Sequence, residues 1–97
     1  VLFAPGLPDL DSIRAVCSAV DKPVNIVMGL KGLPLTIDEL RDAGVKRVSV
    51  GGSFARAALG ALAEAAREVR ERGTFTYAHH AITHAEASAL MRSADEP

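Results

Sequence analysis

Short apolar runs alternate with stretches whose apolar residues recur at helical spacing. Val1-Leu2-Phe3-Ala4 is apolar and ends at Pro5-Gly6, a turn signal, which predicts a buried strand. From Asp9 to about Val20, Leu10, Ile13, Val16, Cys17 and Val20 form a helical stripe, broken by Asp21-Lys22-Pro23 because proline has no N–H to donate. Val24-Asn25-Ile26-Val27-Met28 predicts a second strand, ended by Gly29. After a Gly- and Pro-bearing loop, Thr36 and Glu39 have the T-x-x-E spacing of a capping box, so a helix starts there. Ile37, Leu40 and Ala43 would form its buried face, with Gly44 as the residue past its end. Arg47-Val48-Ser49-Val50 is the third strand, and Gly51-Gly52 ends it.

The pattern then becomes wholly helical. A long helix is predicted from about Ser53 to Arg72, with Leu59, Leu62, Ala66 and Val69 on one face and an alanine-rich first half that allows close packing. Glu68 with Arg72, and Arg67 with Glu71, are spaced as exposed helix pairs. Gly73 stops this helix. Thr83 and Glu86 repeat the capping box and open a last short helix to about Arg92, with a frayed tail over 93–97.

The order is thus β-α-β-α-β-α plus one more helix, with strand centres near Phe3, Ile26 and Ser49 spaced by 23 residues. Short strands that are apolar nearly throughout, alternating with helices, predict a parallel sheet with right-handed crossovers. Three strands cannot close a barrel, and an eight-stranded one takes about 200 residues or more. The expectation is a part of a (β/α)8 barrel, cut just before or within a strand at Val1.

Composition narrows the function classes. The 97 residues allow one domain at most, and 48% apolar with 24% charged residues are ordinary globular values. Eleven basic against twelve acidic residues, net charge -1, give no electrostatic case for nucleic acid or an anionic membrane. No apolar run approaches the roughly 20 residues of a membrane helix. A single cysteine, Cys17, cannot form an internal disulfide, and a cytoplasmic setting is expected. Cys17 lacks a cationic neighbourhood that would activate a thiolate and reads as a small apolar residue.

Five stretches, in order, resemble the isocitrate lyase/phosphoenolpyruvate mutase superfamily: Val1-Leu2-Phe3-Ala4-Pro5-Gly6-Leu7, Lys22-Pro23-Val24-Asn25-Ile26, Leu40 to Gly52, Ser53-Phe54-Ala55-Arg56-Ala57-Ala58, and Gly73-Thr74-Phe75. The resemblance implies that the strands are the sixth, seventh and eighth of the barrel, and that 1–97 is the C-terminal part of one barrel domain. It implies a Mg²⁺-dependent enzyme that cleaves or forms a C–C or C–P bond beside a 2-oxo acid through an enolate, with the metal ligands and gating loop on earlier strands. Where the methylisocitrate lyase branch has a glutamate, this chain has Pro5, which favours the phosphonomutase-like branch. The resemblance also implies a homo-oligomer, dimer or tetramer, with the terminal helical segment 73–97 at the contact.

Barrel sites lie at the C-terminal ends of the strands. Asn25, an amide on an otherwise apolar strand, is either a donor to a substrate carboxylate, as the resemblance implies, or a structural hydrogen-bonding group. Gly51, Gly52 and Ser53 lie between strand and helix, where free N–H groups favour a carboxylate or phosphonate; the plain alternative is a tight turn with Ser53 as N-cap. Gly6 beside Pro5 could shape the floor of the site or simply turn the chain. Arg56 reads as a structural ion-pair residue, Ser49 as packing, and Asp9 and Asp11 as helix-start residues. His79, His80 and His84 invite a metal reading, since His80 and His84 share a face if the helix is continuous, but no nearby cysteine or acid other than Glu86 completes the set a zinc site needs, and they read as surface or interface residues. No residue of this chain is expected to be catalytic or to bind the metal. Two other readings stay open: a non-catalytic α/β module that self-associates through open strand edges, and another barrel family with a phosphate site after its last strand.

Overall fold

The computed structural model describes residues 1–92, so the tail expected over 93–97 lies outside the described residues. The chain divides into two compact units, Val1–Ala58 and Leu59–Pro97. Elements follow in the order β1 (Leu2–Phe3), α1 (Leu10–Ala19), β2 (Val24–Val27), α2 (Ile37–Asp42), β3 (Arg47–Ser49), α3 (Ser53–Arg72), a 3-10 turn (Thr76–His79) and α4 (His84–Leu90). α3 has the bounds its pattern predicts, and the other elements are shorter by a residue or more at one or both ends.

In the first unit the three strands form one parallel sheet in the order β1-β2-β3. Leu2 pairs with Val24, and Asn25 with Arg47, an offset of 22 residues in both cases. The offset differs by one from the 23-residue spacing of the strand centres, and in a strand a shift of one residue moves every side chain to the opposite face. With an offset of 22, Phe3, Asn25 and Arg47 form one row and Val27 and Ser49 the next on the same face. Val24 and Ile26 point the other way and are buried with Ile13 of α1 and Leu40 of α2, joined by Ala43 and Val45. Consecutive neighbouring strands with both helices on one side are what right-handed crossovers in a single direction produce.

The helices of this unit are fixed locally. Asp9 caps α1 by accepting from the Ser12 amide at 2.8 Å, and this hydrogen bond holds its carboxyl below the usual range. The capping box of α2 is complete: the Thr36 hydroxyl accepts from the Glu39 amide at 3.1 Å, and the Glu39 carboxylate accepts from the Thr36 amide at 2.9 Å. Gly44 closes α2 with φ 103°, and a Cβ built there would lie 3.0 Å from the Cβ of Cys17, so the same glycine permits the approach of α1. One expectation for α2 fails: Ile37 is 55% exposed, and only Leu40 and Ala43 of its predicted buried face reach the core.

The second unit is built differently. Leu59, Leu62 and Val69 are exposed on α3, and its buried residue is Glu68, 4% exposed. The i,i+4 pairing of Glu68 with Arg72 is not formed. The Glu68 carboxylate instead accepts from the Thr74 hydroxyl at 2.6 Å, the Thr76 amide at 2.7 Å, the Thr76 hydroxyl at 2.8 Å and the Tyr77 amide at 3.0 Å. Two backbone N–H groups past the end of the helix have no other acceptor of comparable charge, and they outcompete a solvated guanidinium. The Thr74 hydroxyl is the largest cause of a pKa lowered from 4.5 to about 2; desolvation opposes it, and Thr76 and Tyr77 add to it. His80 and His84 do not share a helix, since the 3-10 turn ends at His79 and α4 starts at His84 behind a complete Thr83–Glu86 capping box.

Two expected outcomes test these contacts. Ile13 is fully buried, so Ile13→Ala should cost about 2–5 kcal/mol in denaturant unfolding of the first unit; a loss below about 1 kcal/mol would mean that α1 does not anchor the core. The depressed Glu68 pKa contributes stability that is fully present above pH 4.5 and is lost as pH falls through about 2. Amide exchange at Thr76 and Tyr77 should therefore accelerate across that window. In Glu68→Gln it should be fast and show no such transition.

Candidate functional site

The C-terminal ends of β1 and β2 open onto a cleft of about 190 Å³. Ala4, Gly6 and Leu7 line it from the β1 side, Val27 from β2, and Leu30 and Lys31 from the loop that follows β2. That loop lies where it does because Gly29, with φ 84°, turns the chain away from the strand direction. A Cβ at Gly29 would lie 2.7 Å from the Cβ of Ser53, so the tip of β2 and the start of α3 meet at a point that only glycine accommodates.

Of the residues expected at a site, Gly6 lines this cleft. Gly51, Gly52 and Ser53 form the β3–α3 turn beside it. The Ser53 amide donates to the Val50 carbonyl at 3.0 Å, and a Cβ at Gly51 would lie 4.0 Å from the side chain of Val27, itself a wall of the cleft. Arg56 makes no ion pair among the described residues. Its Nη1 would lie 3.0 Å from a Cβ at Gly52, so the guanidinium folds back onto the turn that starts its own helix.

Asn25 is placed differently. It is 3% exposed and both ends of its amide are engaged: Nδ2 donates to Ser49 Oγ at 3.1 Å, and Oδ1 accepts from Arg47 Nε at 3.2 Å. It is the second residue of a four-residue strand, one pleat repeat below Val27, and it does not line the cleft. The structure therefore joins Asn25 to two neighbours across the β2–β3 ladder, and Ser49, read as packing, is one of them. Arg47 was not singled out in the sequence. The signal was available in its i,i+2 spacing from Ser49, but it becomes legible only with the offset of 22. Lys31 was also missed, because one charged residue between two leucines in a Gly-Pro loop looks like ordinary surface.

No group of three or more His, Cys, Asp or Glu side chains converges among the described residues. The residues present do not fit a metal, and no step through one is derived from them. Among the described residues, no helix is long and apolar enough to cross a membrane.

The meeting of Gly29 and Ser53 has a direct test. Gly29→Ala and Gly32→Ala both force a side chain into the left-handed region, at about 1–2 kcal/mol each. Gly32 has open space around it while Gly29 does not, so Gly29→Ala should lower the thermal midpoint further. Equal losses would show that the strand tip and the helix start are not in contact.

Comparison with known proteins agrees with this geometry. The phosphoenolpyruvate phosphomutase family model matches residues 1–70. The crystal structure of a protein from Burkholderia cenocepacia J2315 described as a lyase/mutase superposes with a TM-score of 0.87 at 52% identity, over 97% of this chain and 34% of that one. A protein from the same organism described as a phosphonomutase superposes with a TM-score of 0.61 at 34% identity, over 69% of this chain and 26% of that one. No curated protein matches. The chain spans about a third of the length of the first of these relatives. Its parallel β/α units, and a family match over most of its length, make this chain a member of the phosphoenolpyruvate phosphomutase family, within the isocitrate lyase/phosphoenolpyruvate mutase superfamily.

Proposed function

We propose that the chain is the C-terminal part, strands six to eight, of a (β/α)8 barrel enzyme of the phosphonomutase-like branch. That enzyme cleaves or forms a C–C or C–P bond beside the carbonyl of a small 2-oxo or phosphono acid. The observation that carries this reading is the cleft at the C-terminal ends of β1 and β2, walled by Gly6 and Val27, in a chain whose relatives are described as lyase/mutase and phosphonomutase. A sheet with sequentially ordered parallel strands and its helices on one face needs further strands to close, and its strand tips then form one sector of a rim. In this reading Gly6 and the turn Gly51-Gly52-Ser53 supply a close-fitting backbone wall for the acid, and Asn25 supports that wall from below through Ser49 and Arg47.

The reaction in this branch depends on Mg²⁺, whose ligands would come from strands outside this chain. Under the proposal the catalytic groups, like the metal ligands, lie elsewhere in the enzyme, and this chain by itself is inactive. The setting is cytoplasmic and the partners are a small carboxylate substrate and further copies of the protein. Support for a homo-oligomer comes from the face of α3 that carries Leu59 and Leu62, the latter 65% exposed, since a helix face of that composition stabilises little until it is covered.

The test compares the full-length protein with the 97-residue chain for release of pyruvate or oxaloacetate in the presence of Mg²⁺. Turnover by the full-length protein and none by the short chain is expected. Turnover by the short chain would overturn the placement of the chemistry elsewhere, and inactivity of the full-length protein on 2-oxo and phosphono acids would overturn the lyase/mutase reading. A solution mass of a single chain for the full-length protein would remove the oligomer.

A further inference from the structure

Lys31 has a position that neither the fold nor the reading above accounts for. It belongs to the link between β2 and α2 and lines the cleft at the strand tips. The other residues around that cleft are apolar or glycine, so Lys31 is its one charged group among the described residues. Two left-handed glycines, Gly29 with φ 84° and Gly32 with φ 87°, bracket Leu30 and Lys31 and turn the chain on either side of them. Leu30 and Lys31 are thus flanked by a backbone turn on each side, with Lys31 exposed to solvent.

Nothing in the described structure neutralises this ammonium. The ion pairs formed are Arg14–Asp11 and Arg41–Asp38, both on exposed helix surfaces. Arg56, the other cation near the strand tips, lies over Gly52 and does not line the cleft. A lysine is a compact charge with three donors on a flexible stem, suited to a carboxylate or a phosphonate without demanding the planar geometry that arginine imposes. An apolar cleft with one cation at its mouth complements a small molecule that places one anionic group there and keeps the rest of its body against the walls.

We infer that Lys31 is a specificity-determining residue that binds the second anionic group of the substrate, the one remote from the 2-oxo carboxylate. Of the 2-oxo and phosphono acids in the proposed reading, Lys31 would favour those that carry a second carboxylate or a phosphonate. This inference rests on the proposed lyase/mutase reading and deepens it. A charge-assisted hydrogen bond of this kind corresponds to roughly a ten- to hundred-fold preference for the dianion.

The experiment measures equilibrium binding of pyruvate, oxaloacetate and phosphonopyruvate to the full-length protein with Mg²⁺, for the native sequence, Lys31→Met and Lys31→Arg. In Lys31→Met the preference for the two dianions over pyruvate should fall about ten- to hundred-fold, and Lys31→Arg should restore part of it. If only the phosphonopyruvate preference collapses, the remote group is a phosphonate; if only that of oxaloacetate does, it is a carboxylate. An unchanged preference in Lys31→Met, in a protein that still binds and turns over the native acid, overturns the role of Lys31 and leaves the lyase/mutase reading standing. Failure of the native full-length protein to bind or turn over any of the three overturns both. Matching circular dichroism of the variants separates a lost contact from a lost fold.

Discussion

The first unit depends on burying one face of a three-stranded sheet. Val24 and Ile26 leave water only because Ile13 and Leu40 reach them, and each helix reaches the sheet only because it is pinned at an end: α1 by Asp9 at its start, α2 by the Thr36–Glu39 box at its start and by Gly44 at its finish. Once that face is covered, the strand alternation leaves Phe3, Asn25, Val27, Arg47 and Ser49 on the other. That second face has a mixed character, with Phe3 56% exposed beside a hydrogen-bonded polar row. A sheet buried on both faces is the rule for parallel strands, and a barrel meets that rule by turning the second face towards its own axis.

Polar satisfaction on this face limits what its residues can do. An amide with both ends engaged by neighbours is held in one orientation, and breaking either contact would strand a buried donor or acceptor. Asn25 is therefore better suited to fixing the spacing of β2 and β3 than to adjusting to a ligand. At the strand tips the backbone is bare at Gly6 and Gly51, while the Arg56 guanidinium lies over Gly52.

Much of this was legible in the sequence, and the reasons are local. Helix starts follow from side chain-to-backbone hydrogen bonds three residues apart, so Thr36 with Glu39 and Thr83 with Glu86 could be read directly, and Gly44 and Gly73 marked helix ends through their lack of a Cβ. The sheet order followed from the regular alternation of elements. Register did not, because nothing local distinguishes an offset of 22 from 23, and with it went the partnership of Asn25 with Arg47 and Ser49. Ile37 was misjudged for a related reason: periodicity says which way a side chain points, and says nothing of whether another element covers it. Glu68 was read as half of a surface pair because helical spacing offered Arg72, while the competing donors lie beyond the helix end in a turn whose path the pattern does not fix. The cleft-side position of Lys31 likewise depends on two backbone reversals that two glycines permit and do not dictate.

All four donors to the Glu68 carboxylate come from the nine residues that follow it. A knot tied over so short a span needs nothing from the remainder of the molecule to hold it. The end of α3 and the reversal behind it thus behave as a prefabricated corner, a bend whose shape is settled by contacts that both begin and end within residues 68–77.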